Sequence, residues 1–170
     1  MIELRQVRYQ DWQNFYALFT ESEIQKELPF TQPLSKFECY VWFLSIFLNM
    51  RQGLVYCRVI SIKKRFLGII FLEQYNPIHK TANISFDLSK RYQGKGMGRI
   101  AVAKFCEEAF SKIKLNRINA IVRPSNDKSQ NLLTNVGFTK EASLKQYVHF
   151  KGNLINVFLY RKCRDEQKAN

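Results

Sequence analysis

The sequence predicts an α+β fold with elements in the order βααβββαβαββ. Two periodicities, one on each side of a glycine-rich loop, carry that prediction. Over 81–88, Ile84, Phe86 and Leu88 alternate with polar side chains, which is typical of a half-buried strand. Over 98–114, apolar side chains recur every three to four residues, which is typical of an amphipathic helix. The same two patterns define the other elements.

The first third of the chain predicts one strand and two helices. Residues 2–8 form the strand, and Asp11 stands where an N-cap would open the first helix. Ser35 and Glu38 have the spacing of a capping box, which opens a second helix over 36–51. This second helix is strongly aromatic, and aromatic side chains at helical spacing favour a role in the core and in a dimer contact.

The rest of the chain predicts a sheet interrupted by two helices. A short helix over 127–136 follows the long one, and Gly137 ends it. Runs of apolar and β-branched residues bounded by turn residues predict the strands, at 54–62, 66–74, 81–88 and 117–123, with a final hairpin of 138–148 and 154–163. We expect one domain over 1–163 and a charged, frayed tail over 164–170.

Composition favours a packed globular protein. The chain has 170 residues, of which 46% are hydrophobic and 14% aromatic, so it can bury a full core. The most apolar run, 39–50, is far shorter than the roughly 20 residues of a membrane-spanning helix. No signal-peptide pattern opens the chain. We therefore expect a soluble, cytoplasmic protein without a membrane partner.

Cysteine and histidine residues do not have the spacing of a metal site. The two histidines, His79 and His149, are far apart in the sequence, and no C-x-x-C pair occurs. We expect no bound metal and reduced, mostly buried thiols at the four scattered cysteines, which are Cys39, Cys57, Cys106 and Cys163.

The glycine-rich loop between strand 81–88 and helix 98–114 predicts a phosphate cradle. Gly94, Gly96 and Gly98 let the backbone approach a ligand, and the helix directs its free N–H groups into the loop. The spacing is neither that of a Walker A loop nor that of a dinucleotide-binding fingerprint. A plain strand-to-helix turn is the alternative interpretation of this loop taken alone.

The loop also resembles the Q/R-x-x-G-x-G/A pyrophosphate loop of the GCN5-related N-acetyltransferase (GNAT) superfamily. Other segments are similar to its RimJ/RimL branch, whose members acetylate ribosomal-protein N-termini and assorted small amines. These segments follow the order of that branch along essentially the whole chain: Leu4-Arg5 with Asp11-Trp12, 82–88, 123–129, 135–138 with Glu141, 151–152 and 157–160.

The resemblance implies a mixed, mostly antiparallel central sheet with helices on both faces, and an N-acetyltransferase that uses acetyl-CoA as co-substrate. It implies that Leu88, at the end of a splayed strand, hydrogen-bonds the pantetheine arm, and that Asn126 contacts the same arm. Asn126 equally fits the N-cap of helix 127–136, and both roles can hold together. The pyrophosphate would lie against the glycine-rich loop, where the binding residues are Arg91, Gln93, Gly94, Lys95, Gly96, Met97, Gly98 and Arg99.

The charge distribution agrees with a polyanionic ligand. The net charge is +13, and residues 86–170 carry 17 Lys and Arg against seven Asp and Glu, whereas residues 1–85 carry ten against seven. The basic half contains the glycine-rich loop, which suits coenzyme A. RNA or ribosome contact would also suit this charge, but net charge alone does not favour a nucleic-acid partner.

Acetyl transfer needs an acid for the leaving thiolate, and the resemblance indicates Ser129. Many members of the superfamily use a tyrosine in the helix after the asparagine, but this chain has Asn131-Leu132-Leu133 there. Ser129 matches the serine that the RimL-like branch places near the sulfur. An ordinary first-turn serine is the alternative.

Several residues are candidates for the base that deprotonates the acceptor amine. Asp87 is the only carboxylate on its face of strand 81–88, and His149 has the side chain whose ordinary pKa suits a base at neutral pH. Glu73, Glu141 and a water chain are further candidates. Three positions lack the acidic residues of the branch, namely Asn83, Val148 and Asn156.

The acceptor is predicted only as a class. Direct attack of a neutral primary amine on the thioester fits a peptide or protein N-terminus, a small amine or an amino sugar. Glu21, Glu23 and Glu27 could attract such a cation, or form an ordinary solvated face. The aromatic helix 36–51 is a candidate acceptor wall. A GNAT-fold module that binds coenzyme A and regulates without efficient catalysis is the alternative function.

Overall fold

The computed structural model describes residues 1–164 and contains a seven-stranded sheet with helices on both faces. The strands are β1 (Glu3–Arg5), β2 (Tyr56–Ile62), β3 (Arg65–Asn76), β4 (Thr81–Leu88), β5 (Arg117–Val122), β6 (Thr139–Phe150) and β7 (Asn153–Cys163). The helices are α1 (Trp12–Phe19), α2 (Ser22–Glu27), α3 (Lys36–Arg51), α4 (Met97–Ser111) and α5 (Asp127–Asn135).

The strand order across the sheet is β1-β2-β3-β4-β5-β7-β6. Every neighbouring pair is antiparallel except β4 and β5, which are parallel. Helix α4 connects these two strands, as a parallel pair requires a crossover connection. The predicted mostly antiparallel mixed sheet is confirmed.

Two apolar cores hold the helices against the sheet. One core joins α4 and α5 to the sheet through side chains such as Phe105, Leu133 and Ile70. The other joins α1 and α3 to the opposite face through Phe15, Phe43 and others. The strands alternate between the two cores, so consecutive residues of β4 face opposite helical layers.

Helix α3 begins as the sequence predicts. The Ser35 hydroxyl accepts a hydrogen bond from the Glu38 N–H at 3.2 Å, and the Glu38 carboxylate accepts from the Ser35 N–H at 2.8 Å. Its aromatic residues contribute mainly to the core: Phe43 is fully buried, and Trp42 packs at 4.6 Å between ring centroids on Phe19.

Two details of the N-terminal region differ from the prediction. The segment 22–27 forms an extra helix, α2, so the order is βαααβββαβαββ. Asp11 precedes α1, but its carboxylate does not cap that helix. It instead accepts two hydrogen bonds of 2.7 Å from Arg5 and one of 2.8 Å from the Arg8 N–H. The guanidinium of β1 provides a stronger partner than a helix N–H.

The last described residue, Arg164, is the first residue of the predicted tail. The Arg164 N–H donates to the Asn116 carbonyl at 3.0 Å, and its side chain donates to the Leu115 carbonyl at 2.8 Å. Arg164 is therefore attached to the domain. The rest of the predicted tail, 165–170, lies outside the described residues.

Candidate active site

The central feature of the site is a wedge between β4 and β5. The two parallel strands pair only from Thr81 with Arg117 to Asn83 with Asn119. Beyond these residues β4 continues along β3 to Leu88, while β5 continues along β7. Backbone polar groups of the diverging edges therefore have no ladder partner across the wedge, and a bound chain of suitable polarity can pair with them.

The end of β4 is held by Gly68, a residue that the sequence analysis did not single out. Gly68 of β3 lies opposite Leu88. A Cβ on Gly68 would overlap the carbonyl oxygen of Asp87 and lie only 2.9 Å from the Leu88 Cα. The next residue, Ser89, donates its N–H to the Leu67 carbonyl at 2.9 Å. The missing side chain thus lets the backbones of β3 and β4 approach each other at the open end of the wedge.

The glycine-rich loop forms an open cradle at the N-terminus of α4. Gly94 and Gly96 have φ angles of +72° and +74°, which glycine adopts without strain, and both Cβ directions point into open space. Gly96 occupies the N-cap position, no side chain caps the helix, and its first turn contains no acidic residue. The first N–H groups of a 15-residue helix are therefore free to bind an anion.

Three exposed cations surround this cradle, at Arg91, Lys95 and Arg99. The Lys95 ammonium donates to the Arg91 carbonyl at 2.8 Å and folds the loop on itself. Uncapped helix N–H groups, open glycines and cations together fit the pyrophosphate of acetyl-CoA. The residues present therefore suit the co-substrate that the sequence predicts.

Three other loop residues have local partners. The Gln93 side-chain amide donates to the Leu88 carbonyl at 2.8 Å, so this carbonyl already has one partner. Gly98 packs closely on α5, because a Cβ there would lie 2.9 Å from the Leu132 Cδ1. Met97 packs against the α4 side core. Leu88, Gln93, Met97 and Gly98 thus connect the cradle to the sheet and helices.

Asn126 and Ser129 lie together at the start of α5. The Asn126 side-chain oxygen accepts a hydrogen bond from the Ser129 N–H at 3.0 Å, so Asn126 is the N-cap of this helix. Its side-chain nitrogen donates to the Glu27 carboxylate at 3.0 Å. Ser129 is half-buried. The N-cap role of Asn126 is confirmed, and its contact with the pantetheine arm stays a prediction.

The Asp87 carboxyl has a position and a pKa that suit a general base. It faces the α1–α3 side of the sheet, opposite Ile69, whereas Leu88 faces α4. Desolvation, followed by the negative charges of Glu73 and Glu27, raises the pKa of the Asp87 carboxyl to about 7. A carboxyl with this pKa is half-ionised at neutral pH and suits proton exchange with a substrate.

The other candidate bases lie in different surroundings. Glu73 accepts a hydrogen bond of 2.8 Å from Ser85, on the same face as Asp87. Glu141 lies between Arg117 and Arg161, and the hydrogen bond from Arg117 holds the pKa of its carboxyl below the usual range. His149 is exposed on β6, the strand at the edge of the sheet. The structure brings Glu73 beside Asp87 and leaves Glu141 and His149 on the far strands.

The acidic residues around α2 have partners at both edges of the wedge. Glu21 accepts hydrogen bonds from Ser89 and from the Lys90 N–H, and Glu23 forms an ion pair with Lys90 at 3.2 Å. Glu27 forms an ion pair with Arg123 and accepts from Asn126. These contacts were not predictable from the sequence pattern, because the partners are about 70 to 100 residues away.

A wide groove lies between α3 and the adjoining ends of β2 and β3. It has a volume of about 700 Å³, and its lining includes Trp42, Phe71 and Glu73, together with side chains from the α4 side of the sheet. Glu73 also accepts the hydrogen bond from Ser85 and acts on the pKa of Asp87, so one residue of the groove wall contacts the polar side chains of β4.

Within residues 1–164, no cluster of His, Cys, Asp and Glu side chains has the arrangement of a metal site. Among the helices of this same region, none has both the length and the apolar character needed to span a membrane.

A family model described as the acetyltransferase (GNAT) domain matches residues 2–139, which include the wedge, the cradle, Asp87 and Ser129. The chain belongs to the GNAT acetyltransferase family. The family and fold predicted from the sequence are confirmed. Acetyl transfer from acetyl-CoA to an amine, the predicted class of activity, is the activity of this family.

Individual proteins extend this comparison. The chain is 39% identical to the uncharacterized N-acetyltransferase p20 of Bacillus licheniformis over 85 residues, an alignment that covers 50% of this chain and 48% of p20. The chain therefore spans about half the length of this curated relative.

Solved structures of other GNAT proteins share the fold over nearly the whole chain. RimL, a ribosomal L7/L12 alpha-N-protein acetyltransferase solved with coenzyme A, has a TM-score of 0.86 at 20% identity, covering 96% of this chain and 94% of its own. Spermidine N-acetyltransferase from Vibrio cholerae, solved with CoA and spermine, has a TM-score of 0.82 at 21% identity, covering 96% of each chain.

Replacement of Gly68 tests how the end of β4 is held. Gly68→Ala should lower the free energy of unfolding by about 1–3 kcal/mol, because its methyl group overlaps backbone atoms that cannot move aside. Gly98→Ala is the matched control: its methyl group meets the ends of two flexible side chains, Leu132 at 2.9 Å and Leu88 at 4.0 Å, and alanine favours the helix. Urea unfolding measures both. Equal stability losses in the two variants would contradict this assignment to Gly68.

Proposed function

We propose that this GNAT protein transfers the acetyl group of acetyl-CoA to a primary amine that reaches Asp87 from the α1–α3 face of the sheet. The observation that carries the proposal is the position of a carboxyl with a pKa of about 7 beside an open wedge and an uncapped helix N-terminus. Asp87 is the proposed base and Ser129 the proposed acid.

The cradle and the wedge would hold the co-substrate. The free N–H groups of Met97, Gly98 and Arg99 point toward the pyrophosphate position, and Arg91 and Lys95 supply positive charge. The unpaired edge of β4 up to Leu88 would bind the pantetheine arm by backbone hydrogen bonds, as one more strand would.

The proposed chemistry moves three protons. Asp87 removes one proton from the ammonium form of the acceptor, whose nitrogen lone pair then bonds to the thioester carbonyl carbon. The nitrogen of this adduct loses its second proton to solvent as the carbon–sulfur bond breaks, and Ser129 supplies a proton to the thiolate and regains one from solvent. A backbone N–H near Leu88 would stabilise the negative charge on the carbonyl oxygen. Acetyl-CoA supplies the activated acetyl group, so no covalent enzyme intermediate is required.

The acceptor is proposed as a cation at neutral pH. Glu73 and Glu27 both act electrostatically on Asp87, so three carboxyl groups lie near one another in a protein of net charge +13. Two of the structurally similar proteins, RimL and spermidine N-acetyltransferase, act on a ribosomal-protein N-terminus and on spermidine, and both acceptors are primary amines. We propose that the acceptor, a peptide N-terminus, a small amine or an amino sugar, enters along the groove beside Trp42 and Phe71.

We also propose that the protein forms a homodimer through helix α3. Helix α3 carries three well-exposed apolar side chains on its outer face, with exposed fractions of 74% for Phe37, 48% for Val41 and 48% for Leu48. A contact between two copies would remove this apolar surface from water. His149 stays a candidate base for an acceptor that approaches β6.

A thiol-release assay with acetyl-CoA tests the proposed activity. The acceptor panel contains peptides with varied N-termini, polyamines, amino sugars and aminoglycosides. We expect turnover on one class, because a single groove imposes one acceptor shape. Binding of acetyl-CoA without turnover on any class, seen as a raised melting temperature, would favour the regulatory coenzyme A-binding module.

The pH dependence of the rate tests Asp87. Because Asp87 accepts a proton only when ionised, kcat/KM should rise as the pH increases through about 7. Glu73→Gln removes a neighbouring negative charge, so it should lower the pKa of Asp87 and shift this limb to lower pH. Asp87→Asn should reduce kcat/KM by roughly 10²-fold or more and remove the limb. If Glu73→Gln does not shift the rising limb of the pH profile, the limb reports ionisation of the acceptor amine. That result would contradict this role of Asp87.

Replacement of Ser129 tests the proposed acid. Ser129→Ala should lower kcat by roughly 10²-fold and leave the KM for acetyl-CoA almost unchanged, because the lost proton transfer occurs after binding. Ser125→Ala, an exposed serine just before the helix, is the control and should behave like the unmodified protein. The role is excluded if both variants retain full kcat.

A further inference from the structure

The segment that leads from β4 into the glycine-rich loop is tightly folded. The Ser89 N–H donates to a carbonyl of β3 at 2.9 Å, and Lys90–Tyr92 form a single 3₁₀ turn. Within this turn the Tyr92 N–H donates to the Ser89 carbonyl at 2.9 Å. The following N–H, of Gln93, donates to the Lys90 carbonyl at 3.1 Å. The cradle therefore starts from a well-defined stretch of backbone.

A carboxylate from a distant part of the chain holds the start of this segment. Glu21, in the connection between α1 and α2, lies 68 residues before Ser89 in the sequence. One of its oxygens accepts a hydrogen bond from the Ser89 hydroxyl at 2.6 Å, and the other accepts from the Lys90 N–H at 2.8 Å. The Ser89 side of this contact is buried. Glu21 thus fixes the point where the chain leaves β4 and turns into the loop.

The glycine-rich loop itself has few constraints of its own. The Cβ positions of Gly94 and Gly96 have no neighbouring atom within 4 Å, and glycine is the residue with the widest choice of backbone conformation. The path of these glycines therefore depends on how the preceding residues are held. A loop that is already held in its binding conformation loses less entropy when a ligand arrives, so it binds more tightly.

The charge of Glu21 would by itself disfavour an anionic ligand. The cradle is surrounded by the cations of Arg91, Lys95 and Arg99, and a pyrophosphate there would be repelled by a nearby carboxylate. Glu21 nevertheless contacts Lys90, the residue directly before Arg91. Its two hydrogen bonds, and not its charge, are therefore the contribution that can assist the cradle.

We propose that Glu21 is a positioning residue for acetyl-CoA: its hydrogen bonds hold Ser89 and Lys90 so that the glycine-rich loop keeps the shape that binds the pyrophosphate. This inference rests on the proposed function, which places the pyrophosphate in the cradle. Glu21 acts through the backbone that follows β4 and contacts neither substrate. Its removal should therefore weaken the binding of acetyl-CoA and leave the chemical step nearly unchanged.

Two substitutions of Glu21 separate its hydrogen bonds from its charge. Glu21→Ala removes both acceptor atoms, so the Kd for acetyl-CoA should rise roughly tenfold. Glu21→Gln has the same shape without the charge. Its oxygen can accept from the Lys90 N–H while its amide donates to the Ser89 hydroxyl, which can donate or accept, so the Kd should stay within about twofold of the unmodified value. If only the charge mattered, both variants would bind acetyl-CoA more tightly.

Glu23→Ala is the charge-matched control. Glu23 lies two residues after Glu21 and forms ion pairs with the side chains of Lys26 at 3.3 Å and Lys90 at 3.2 Å. Because such exposed pairs contribute little, its removal should leave the Kd unchanged or slightly lower. Titration calorimetry with acetyl-CoA measures all three variants, and melting temperatures confirm that each is folded.

Two calorimetric results would overturn the positioning role. One is a Glu21→Ala variant that binds acetyl-CoA at least as tightly as Glu23→Ala does. The other is a Glu21→Gln variant that binds as weakly as Glu21→Ala, because the glutamine side chain retains the hydrogen bonds on which the role depends.

Steady-state kinetics separates positioning from a general loss of structure. In Glu21→Ala the KM for acetyl-CoA should rise roughly tenfold, while kcat at saturating acetyl-CoA and the KM for the acceptor change little. The acceptor is the one that the panel identifies. A rise in both KM values together with a fall in kcat would indicate a purely structural residue and contradict the proposal.

Arg99→Ala keeps the failure of this inference distinct from the failure of the proposed function. It removes a cation at the cradle, so it should raise the Kd for acetyl-CoA several-fold. If Arg99→Ala weakens binding and Glu21→Ala does not, only the role of Glu21 is contradicted. If neither variant changes the Kd, the pyrophosphate does not lie in the cradle and both proposals are contradicted. Unmodified protein that binds acetyl-CoA but acetylates no amine contradicts the proposed activity, and calorimetry still decides the role of Glu21.

Discussion

The early end of the pairing between β4 and β5 is the constraint on which the rest of the structure depends. Only three residue pairs join these strands, at the middle of a seven-stranded sheet. The sheet remains one body because β4 stays paired to β3 along its length and β5 stays paired to β7. The unpaired edges then become the part of the backbone that can hold a ligand, and the loop and helices around them are arranged accordingly.

Much of the fold could be predicted because its causes are local. The alternation over β4 and the capping box of Ser35 and Glu38 depend on residues close in sequence, and the structure contains both. Helix α2 could not be predicted in the same way. It buries only Ile24, so it has no apolar stripe, and it is attached through Glu21 and Glu27 to segments far along the chain.

Asp11 illustrates how a distant partner overrides a local preference. Its residue type and its place before an aromatic helix favour an N-cap. The side chain is nevertheless buried against the Arg5 guanidinium of β1, whose two hydrogen bonds are charge-assisted. No sequence pattern indicates that β1 returns to this position.

In the candidate site, too, some features follow from local sequence and others depend on residues that are distant in the sequence. The cradle follows from glycine spacing and a helix start, and the face of Asp87 follows from strand alternation, so both were predictable. The basicity of Asp87 depends on its burial and on Glu73 and Glu27, which come from β3 and α2. For His149, the residue type alone gave no information on position, and this residue lies exposed on the edge strand.

The uncapped start of α4 also affects how fast a polyanion finds the site. Arg91, Lys95 and Arg99 are exposed around it, in the half of the chain that carries 17 basic residues against seven acidic ones. A field of this sign concentrates phosphate groups near the cradle before any contact forms, which increases the rate of encounter. Because mobile ions screen such a field over about 8–10 Å at moderate ionic strength, capture of the nucleotide end should slow as salt is added. The loop therefore governs the kinetics of arrival as well as the strength of binding.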